Sequence, residues 1–315
     1  MKTEKIGIVG SGLIGRAWAM VFASVGYPVM LYDSQPEQLT TALQDIEQQL
    51  HRLGAKGALR GGAQLSAAEQ FRCITTTKDL ETVVHKATYI QECIPERIDW
   101  KRRLYEELDA LLQEQTIIAS STSTFMPSLF SERLRCRENV LVAHPLNPPY
   151  FIPLVEIVPA PWTAKTAVAK TRALMLELGQ KPVTLAREVR GFAANRLQYA
   201  VLNEAWHLVA EGVLSVSEVD VVMTHGLGLR YALQGPLETA HLNANGVRDY
   251  FERFGSEIYA VSETYAPPPK MTEATTTLRE IERQCEELVP PDRLSQRREQ
   301  RDEFLKQLNE LKKNF

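Results

Sequence analysis

The chain has 315 residues, 44% of them hydrophobic and 24% charged, with a formal net charge of −3. That balance belongs to a soluble globular protein and permits a sizeable core, in one large domain or two of ordinary size. The slight acidity excludes bulk attraction to nucleic acid or to acidic membranes.

An apolar β-branched run at 6–9 leaves no room for a secretory or transit peptide ahead of it. Further runs at 29–32, 89–94, 116–119 and 140–143 predict strands, and the stretches 14–25, 37–53 and 100–112 carry helical periodicity. Such alternation predicts a mainly parallel sheet with helices on both faces, joined by right-handed crossovers. The most apolar stretch, 17–32, is broken by Ser24, Gly26 and Pro28 and is too short to span a bilayer. The basic, glycine-rich connection 54–62 is expected to be a mobile loop. A strand at 154–158, a helix at 164–178 stopped by Gly179 and a short strand at 183–185 complete the α/β part.

Near Arg190 the pattern changes. Helices are expected at 192–211 (ended by Gly212), 217–224, 247–264, 272–287 and 294–312, with prolines at 267–269 and 290–291 as punctuation. The last of them is charged on most faces and reads as solvated. The expected organisation is a Rossmann-type α/β domain over 1–188 and an all-α substrate and dimerisation domain over 189–315. Cys73, Cys93, Cys136 and Cys285 form no Cys-x-x-Cys pair and no zinc-ligand cluster, so no metal site is expected. They read as reduced thiols of a cytoplasmic protein, while their spacing also allows a disulfide pair.

Gly10-Ser11-Gly12-Leu13-Ile14-Gly15 is a G-x-G-x-x-G loop between the first strand and the first helix, with Asp33 at the end of the next strand. Gly10 allows the tight turn, Gly12 lets the backbone approach a pyrophosphate, and Gly15 lets helix and sheet pack closely. The N–H groups at the helix start, on Leu13 and Ile14, are offered to phosphates. Asp33 suits ribose hydroxyls and repels a 2′-phosphate, and Ser34-Gln35-Pro36 supplies no arginine, so NAD is expected over NADP.

His144 lies at a strand end and Glu156 follows twelve residues later. If they meet, the carboxylate fixes the imidazole tautomer and His144 can act as a general base; otherwise His144 is a structural histidine. Ser120-Ser121-Thr122-Ser123-Thr124 follows a strand at the carboxyl edge of the sheet, where ligands bind, although hydroxyl-rich loops are also common for structural reasons. Asn195, in Gly191-Phe192-Ala193-Ala194-Asn195-Arg196, either caps a helix or points into a cleft between the domains.

Together the glycine loop, Ser120–Ser123, His144-Pro-Leu-Asn-Pro, Leu154-Val-Glu156 and Gly191-Phe-x-x-Asn-Arg196 resemble the 3-hydroxyacyl-CoA dehydrogenase family, in order, over nearly the whole chain. The resemblance implies oxidation of the C3 hydroxyl of a 3-hydroxy acid by NAD, with Ser123, His144, Glu156 and Asn195 as the catalytic set. It also implies cofactor contacts from Glu96 and Lys101, which on chemistry alone are equally a helix-start carboxylate and a solvated lysine. A homodimer is implied too. The fuller set Ile90-Gln-Glu-Cys-Ile-Pro-Glu96, Asn147-Pro-Pro-Tyr150 and Arg196-Leu-Gln-Tyr199 resembles the branch that acts on L-gulonate.

The alternatives keep the chemistry and change the substrate. A CoA thioester needs cations for its phosphates, for which Arg52, Lys56 and Arg60 are candidates. L-Carnitine needs an aromatic cage, for which Tyr231 and Trp206 are candidates. Arg230, in Gly228-Leu-Arg230-Tyr-Ala, departs from the CoA enzymes of the family and suits the carboxylate of a free acid, or else an ion pair at a domain interface. A structural protein that keeps the NAD site without turnover is the alternative of another class.

Overall fold

The computed structural model describes residues 2, 4–112, 115–272 and 275–314. Contacts divide the chain into two compact units, the first ending at Arg196 and the second beginning at Leu197.

The first unit is built on an eight-stranded sheet in the order β3-β2-β1-β4-β5-β6-β7-β8. The strands are β1 (Ile6–Val9), β2 (Val29–Tyr32), β3 (Ile74–Thr77), β4 (Tyr89–Glu92), β5 (Ile117–Ser120), β6 (Val140–Pro145), β7 (Leu154–Pro159) and β8 (Lys181–Thr184). All neighbours run parallel except β6 and β7. The helices are α1 (Leu13–Ala23), α2 (Pro36–Ala55), α3 (Ala67–Arg72), α4 (Leu80–Lys86), α5 (Ile98–Leu111), α6 (Ser128–Ser131) and α7 (Lys165–Glu177), with α8 (Ala194–Ala210) starting at the unit boundary.

The continuous apolar runs of the central strands follow from burial on both faces: every residue of β1, β4, β5 and β6 is buried. Successive residues feed opposite cores. Leu141 and Ala143 pack with Trp18, Phe22, Ile46, Leu50 and Met175, while Val140 and Val142 pack with Val83, Tyr105, Leu108 and Phe130. Helix α2 starts with a proline in its first turn and buries Leu39, Ala42, Ile46 and Leu50 at three- and four-residue spacing. Each of its larger apolar side chains contributes about 1.5–3 kcal/mol of burial.

The second unit consists of most of α8, then α9 (Val216–Val222), a π-helical turn (Met223–Leu227), α10 (Gly228–Tyr231), α11 (Pro236–Leu242), α12 (Val247–Ser262), α13 (Thr276–Leu288) and α14 (Leu294–Leu311). The expected helix at 272–287 thus begins later, and its residues 273–274 lie outside the described residues. Among the described residues no helix is long and apolar enough to cross a membrane.

Three expectations need correction. Strand β3 and helices α3, α4, α6, α10 and α11 were not expected; β3 is a threonine-rich strand at the sheet edge, and α3 and α4 are short helices started by Ser66 and Asp79 side-chain caps. The helix expected from 192 begins at Ala194, because Gly191 and Phe192 both take positive φ, +77° and +54°. The connection 54–62 is anchored rather than mobile. Arg60 donates to the carbonyls of Leu178 (2.6 Å) and Tyr150 (3.3 Å) and to Gln180 Oε1 (3.0 Å), and its backbone N–H donates to the Tyr150 hydroxyl.

Candidate active site

The carboxyl ends of β1, β2, β4, β5 and β6 lie at one edge of the sheet, and the glycine loop, Asp33, Glu96, Ser123 and His144 lie at or just after them, whereas Glu156 stands on the antiparallel β7 and Asn195 beyond β8. His144 and Glu156 are directly opposed in the antiparallel β6–β7 register, so their side chains share a face. The imidazole Nδ1 lies 2.9 Å from Glu156 Oε2, and the two residues are only 4% and 1% exposed.

The other carboxylate oxygen, Oε1, accepts the backbone N–H groups of Ala193 (2.8 Å) and Ala194 (2.9 Å), where α8 begins. Burial alone would raise the Glu156 carboxyl. The His144 bond and the two backbone bonds outweigh it and hold the group below its ordinary value. A carboxylate kept charged in this way holds the proton of His144 on Nδ1 and leaves Nε2 as a proton acceptor.

Asn195 is 8% exposed and donates from Nδ2 to the backbone oxygen of Ser123 (2.7 Å). Ser123 itself is exposed on the loop after β5. The Ser123 and Thr124 N–H groups donate to Glu96 Oε1 at 3.0 and 3.3 Å, and the Thr122 hydroxyl donates to the same oxygen at 2.6 Å. Ser123, His144, Glu156 and Asn195 are thus tied together through the start of α8.

The glycine loop fits a dinucleotide. Gly10 takes φ +105°, and a Cβ there would stand 2.8 Å from the Cys93 backbone. A Cβ on Gly15 would stand 1.9 Å from the Gly10 oxygen. Gly12 faces open space and caps α1 with no side-chain bond. The first backbone bond of α1 runs from Arg16 N to the Gly12 oxygen, so the N–H groups of Leu13, Ile14 and Gly15 precede the helical ladder and suit a phosphate. Asp33 Oδ2 accepts from Ser11 N (2.9 Å) and Ser11 Oγ (2.8 Å), and Oδ1 accepts from Gln35 N (3.1 Å). These bonds orient the carboxylate, and its remaining lone pairs can take ribose hydroxyls.

Lys101 is 1% exposed, which excludes the reading as a solvated lysine. Its ammonium donates to both oxygens of Glu92 (2.8 and 3.0 Å) and lies 3.6 Å from Glu96 Oε2. Arg60, a candidate for CoA phosphates, is engaged by carbonyls as described above. Arg230 is exposed on α10 in the second unit.

Two residues of the site escaped the sequence reading. Glu92 is fully buried at the end of β4, and a charged residue closing an otherwise buried strand was an available signal. Phe192 is fully buried with its ring 5.5 Å from the His144 ring. Its left-handed backbone is rare for an aromatic residue and has no sequence signature.

Residues 5–189 match the family described as 3-hydroxyacyl-CoA dehydrogenase, NAD binding domain, and residues 191–278 match 3-hydroxyacyl-CoA dehydrogenase, C-terminal domain. The chain is 45% identical over 310 residues to lambda-crystallin of Oryctolagus cuniculus, covering 98% of this chain and 96% of that protein. It is 34% identical over 314 residues to an L-carnitine dehydrogenase of Bacillus cereus, covering 99% and 93%. The crystal structure of 5-formyl-3-hydroxy-2-methylpyridine 4-carboxylic acid 5-dehydrogenase, an NAD+-dependent dismutase, superposes with a TM-score of 0.75 at 25% identity, covering 99% of each chain. The chain therefore belongs to the 3-hydroxyacyl-CoA dehydrogenase family and is an NAD-dependent 3-hydroxy-acid dehydrogenase.

Proposed function

We propose that the enzyme oxidises the C3 hydroxyl of L-gulonate to give 3-dehydro-L-gulonate, with His144 as the base. The buried His144–Glu156 pair carries this reading. Bound NAD supplies the acceptor for the hydride that leaves C3. The hydroxyl proton passes to His144 Nε2 as the C3–O bond becomes a carbonyl, and Glu156 stabilises the imidazolium. Ser123 and Asn195 hydrogen-bond the reacting oxygen or the adjoining part of the substrate. Gly10, Gly12, Leu13, Ile14 and Gly15 hold the pyrophosphate and Asp33 the ribose. Glu96, which accepts from the Ser123 loop, and Lys101 beside it would contact the cofactor, as the family resemblance implies.

Arg230 would bind the free carboxylate two carbons from the reacting hydroxyl, since its planar fork can make two parallel bonds. The commitment of Arg60 to three protein oxygens weakens the CoA alternative. L-Carnitine is the second reading, favoured by the 34% identity to an L-carnitine dehydrogenase. The four unpaired thiols fit the cytoplasm. The second unit leaves Leu197, Leu229, Leu233 and Leu237 largely exposed, which fits a homodimer that covers them.

Turnover with NAD on L-gulonate, L-carnitine and 3-hydroxybutyryl-CoA tests the assignment. The highest kcat/KM is expected for L-gulonate. A preference for either of the others would replace it.

A further inference from the structure

Gln91 stands in the middle of the sheet, level with Ile8 on β1 and Ala119 on β5, and is fully buried. An apolar side chain would suit this core equally well, so a buried amide here calls for a reason. Both of its polar atoms are engaged. Nε2 donates to Ser121 Oγ (2.7 Å) and to the Ala143 carbonyl (3.2 Å), and Oε1 accepts from the Tyr89 hydroxyl (3.0 Å). A carbonyl only accepts, so the amide cannot be turned the other way. The Trp18 indole N–H also donates to Ser121 Oγ (3.2 Å). With two N–H donors on that oxygen, its own proton is left for Cys93 Sγ (3.3 Å), and the thiol in turn faces the Gln91 carbonyl (3.8 Å).

The two acceptors of Gln91 belong to two different parts of the site. Ser121 lies two residues before Ser123, on the loop that leaves β5. Ala143 directly precedes His144 and lies one residue beyond Val142, the last that β5 pairs. Backbone bonding ties Ser121 to β4 through the Glu92 carbonyl (2.8 Å), and the Gln91 amide adds a tie to β6 where β5 has turned away. Ala119, on the intervening strand, is small enough to let the side chain pass.

We propose that Gln91 is a positioning residue that sets the distance between Ser123 and His144, holding Ser121 on one side and the Ala143 carbonyl on the other. Hydroxyl and base address the same substrate oxygen, so a shift of the loop against the strand end misaligns both at once. The inference rests on the reading of His144 as the base and Ser123 as a substrate contact.

The test uses the full-length enzyme with Gln91→Met, which keeps the length and removes the amide, with Ser121→Ala, and with the two combined. Ser123→Ala and His144→Ala are measured alongside. NAD sites are counted by titration, and the first turnover of L-gulonate, or of whichever substrate above is preferred, is followed as NADH per site. Gln91→Met is expected to lose about ten- to hundredfold in this rate, the scale of a small misplacement of a reacting group. The substrate KM should stay within about threefold, because the loss falls on the transition state. Ser121→Ala should be slowed as well, and the combined variant little more than Gln91→Met, because both break one link.

Losses that multiply would show two independent effects and overturn the link. Fewer NAD sites or a lower melting temperature, with a normal rate per site, would make Gln91 a core residue and nothing more. A raised KM with an unchanged rate would likewise overturn the proposal, in favour of a contact made equally in the ground state. If Ser123→Ala and His144→Ala are slow while Gln91→Met is normal, the positioning role alone fails. A normal rate for Ser123→Ala or His144→Ala removes the underlying reading and the inference with it. Should Gln91→Met not fold, Ser121→Ala, at the half-buried end of the network, decides by the same rate per site.

Discussion

The two units solve the problem of burying apolar surface differently. In the first, two cores flank one sheet, and fully buried side chains such as Trp18, Phe22, Tyr105 and Ile46 lock its helices in place. From Leu197 onward, Val216 and Thr239 are the buried residues among those described, while many leucines, phenylalanines and tyrosines stay exposed. The first unit therefore sets its geometry by itself: strand register opposes His144 and Glu156, and internal hydrogen bonds seat Asn195 and the Ser123 loop. Among its described residues the second unit forms no buried apolar cluster, and its apolar faces stay exposed.

If the first unit carries the chemistry, the largest effect should come from its base. His144→Ala is expected to lower kcat by at least about a hundredfold, roughly 2.7 kcal/mol, while NAD binding persists. A near-normal rate would mean that another residue takes the proton. The contribution of the second unit is probed by Arg230→Ala, for which a loss of about 2–4 kcal/mol in kcat/KM on L-gulonate is expected with NAD affinity intact. Arg230→Lys should recover part of it, since a point charge replaces the fork. An uncharged gulonate amide or lactone should barely notice either change; equal losses on all three substrates would make Arg230 an interface residue. Asp33→Ala should weaken NAD by about 1–3 kcal/mol and narrow its advantage over NADP. The wild-type enzyme using both cofactors equally well would sink that reading.

The parts of the fold legible in the sequence were those with strong periodicity or chemistry. Buried strands such as Val140-Leu-Val-Ala read as continuous apolar runs, and the glycine loop announced both its turn and its ligand. Short capped pieces were harder, because Ile74-Thr-Thr-Thr at the sheet edge is polar and Ala67–Arg72 spans fewer than two turns. The pairing of His144 with Glu156 was available as residue chemistry, but the register that makes them face each other is tertiary. Lys101 looked like any helical lysine, since burial of an ion pair depends on Glu92, which is close in sequence but reached only once β4 and α5 pack. Arg60 likewise had the composition of a mobile basic loop until the Leu178 and Tyr150 carbonyls claimed it.

The smallest effect, and the one that most sharpens the contrast between the units, concerns acid. Glu156 bridges the sheet to the start of α8, and its carboxyl is held below its ordinary value of 4.5. A depressed folded-state pKa means that the unfolded chain binds the proton more readily, so the stability Glu156 contributes is fully present above 4.5. It is lost as the pH falls through the lower folded-state value. Glu156→Gln removes this titration, and its melting temperature should decline less steeply on the acid side than that of the wild type. The same substitution should cost activity at neutral pH for a different reason. A glutamine can still accept the Ala193 and Ala194 N–H groups through its oxygen, but it then presents its NH2 to His144 Nδ1. That favours the tautomer with the proton on Nε2, which has no lone pair left for the substrate hydroxyl. Loss of turnover with a retained fold and a flattened acid limb would place both roles on this one carboxylate, whereas an unchanged acid limb would show that Glu156 does not set the acid stability of the first unit.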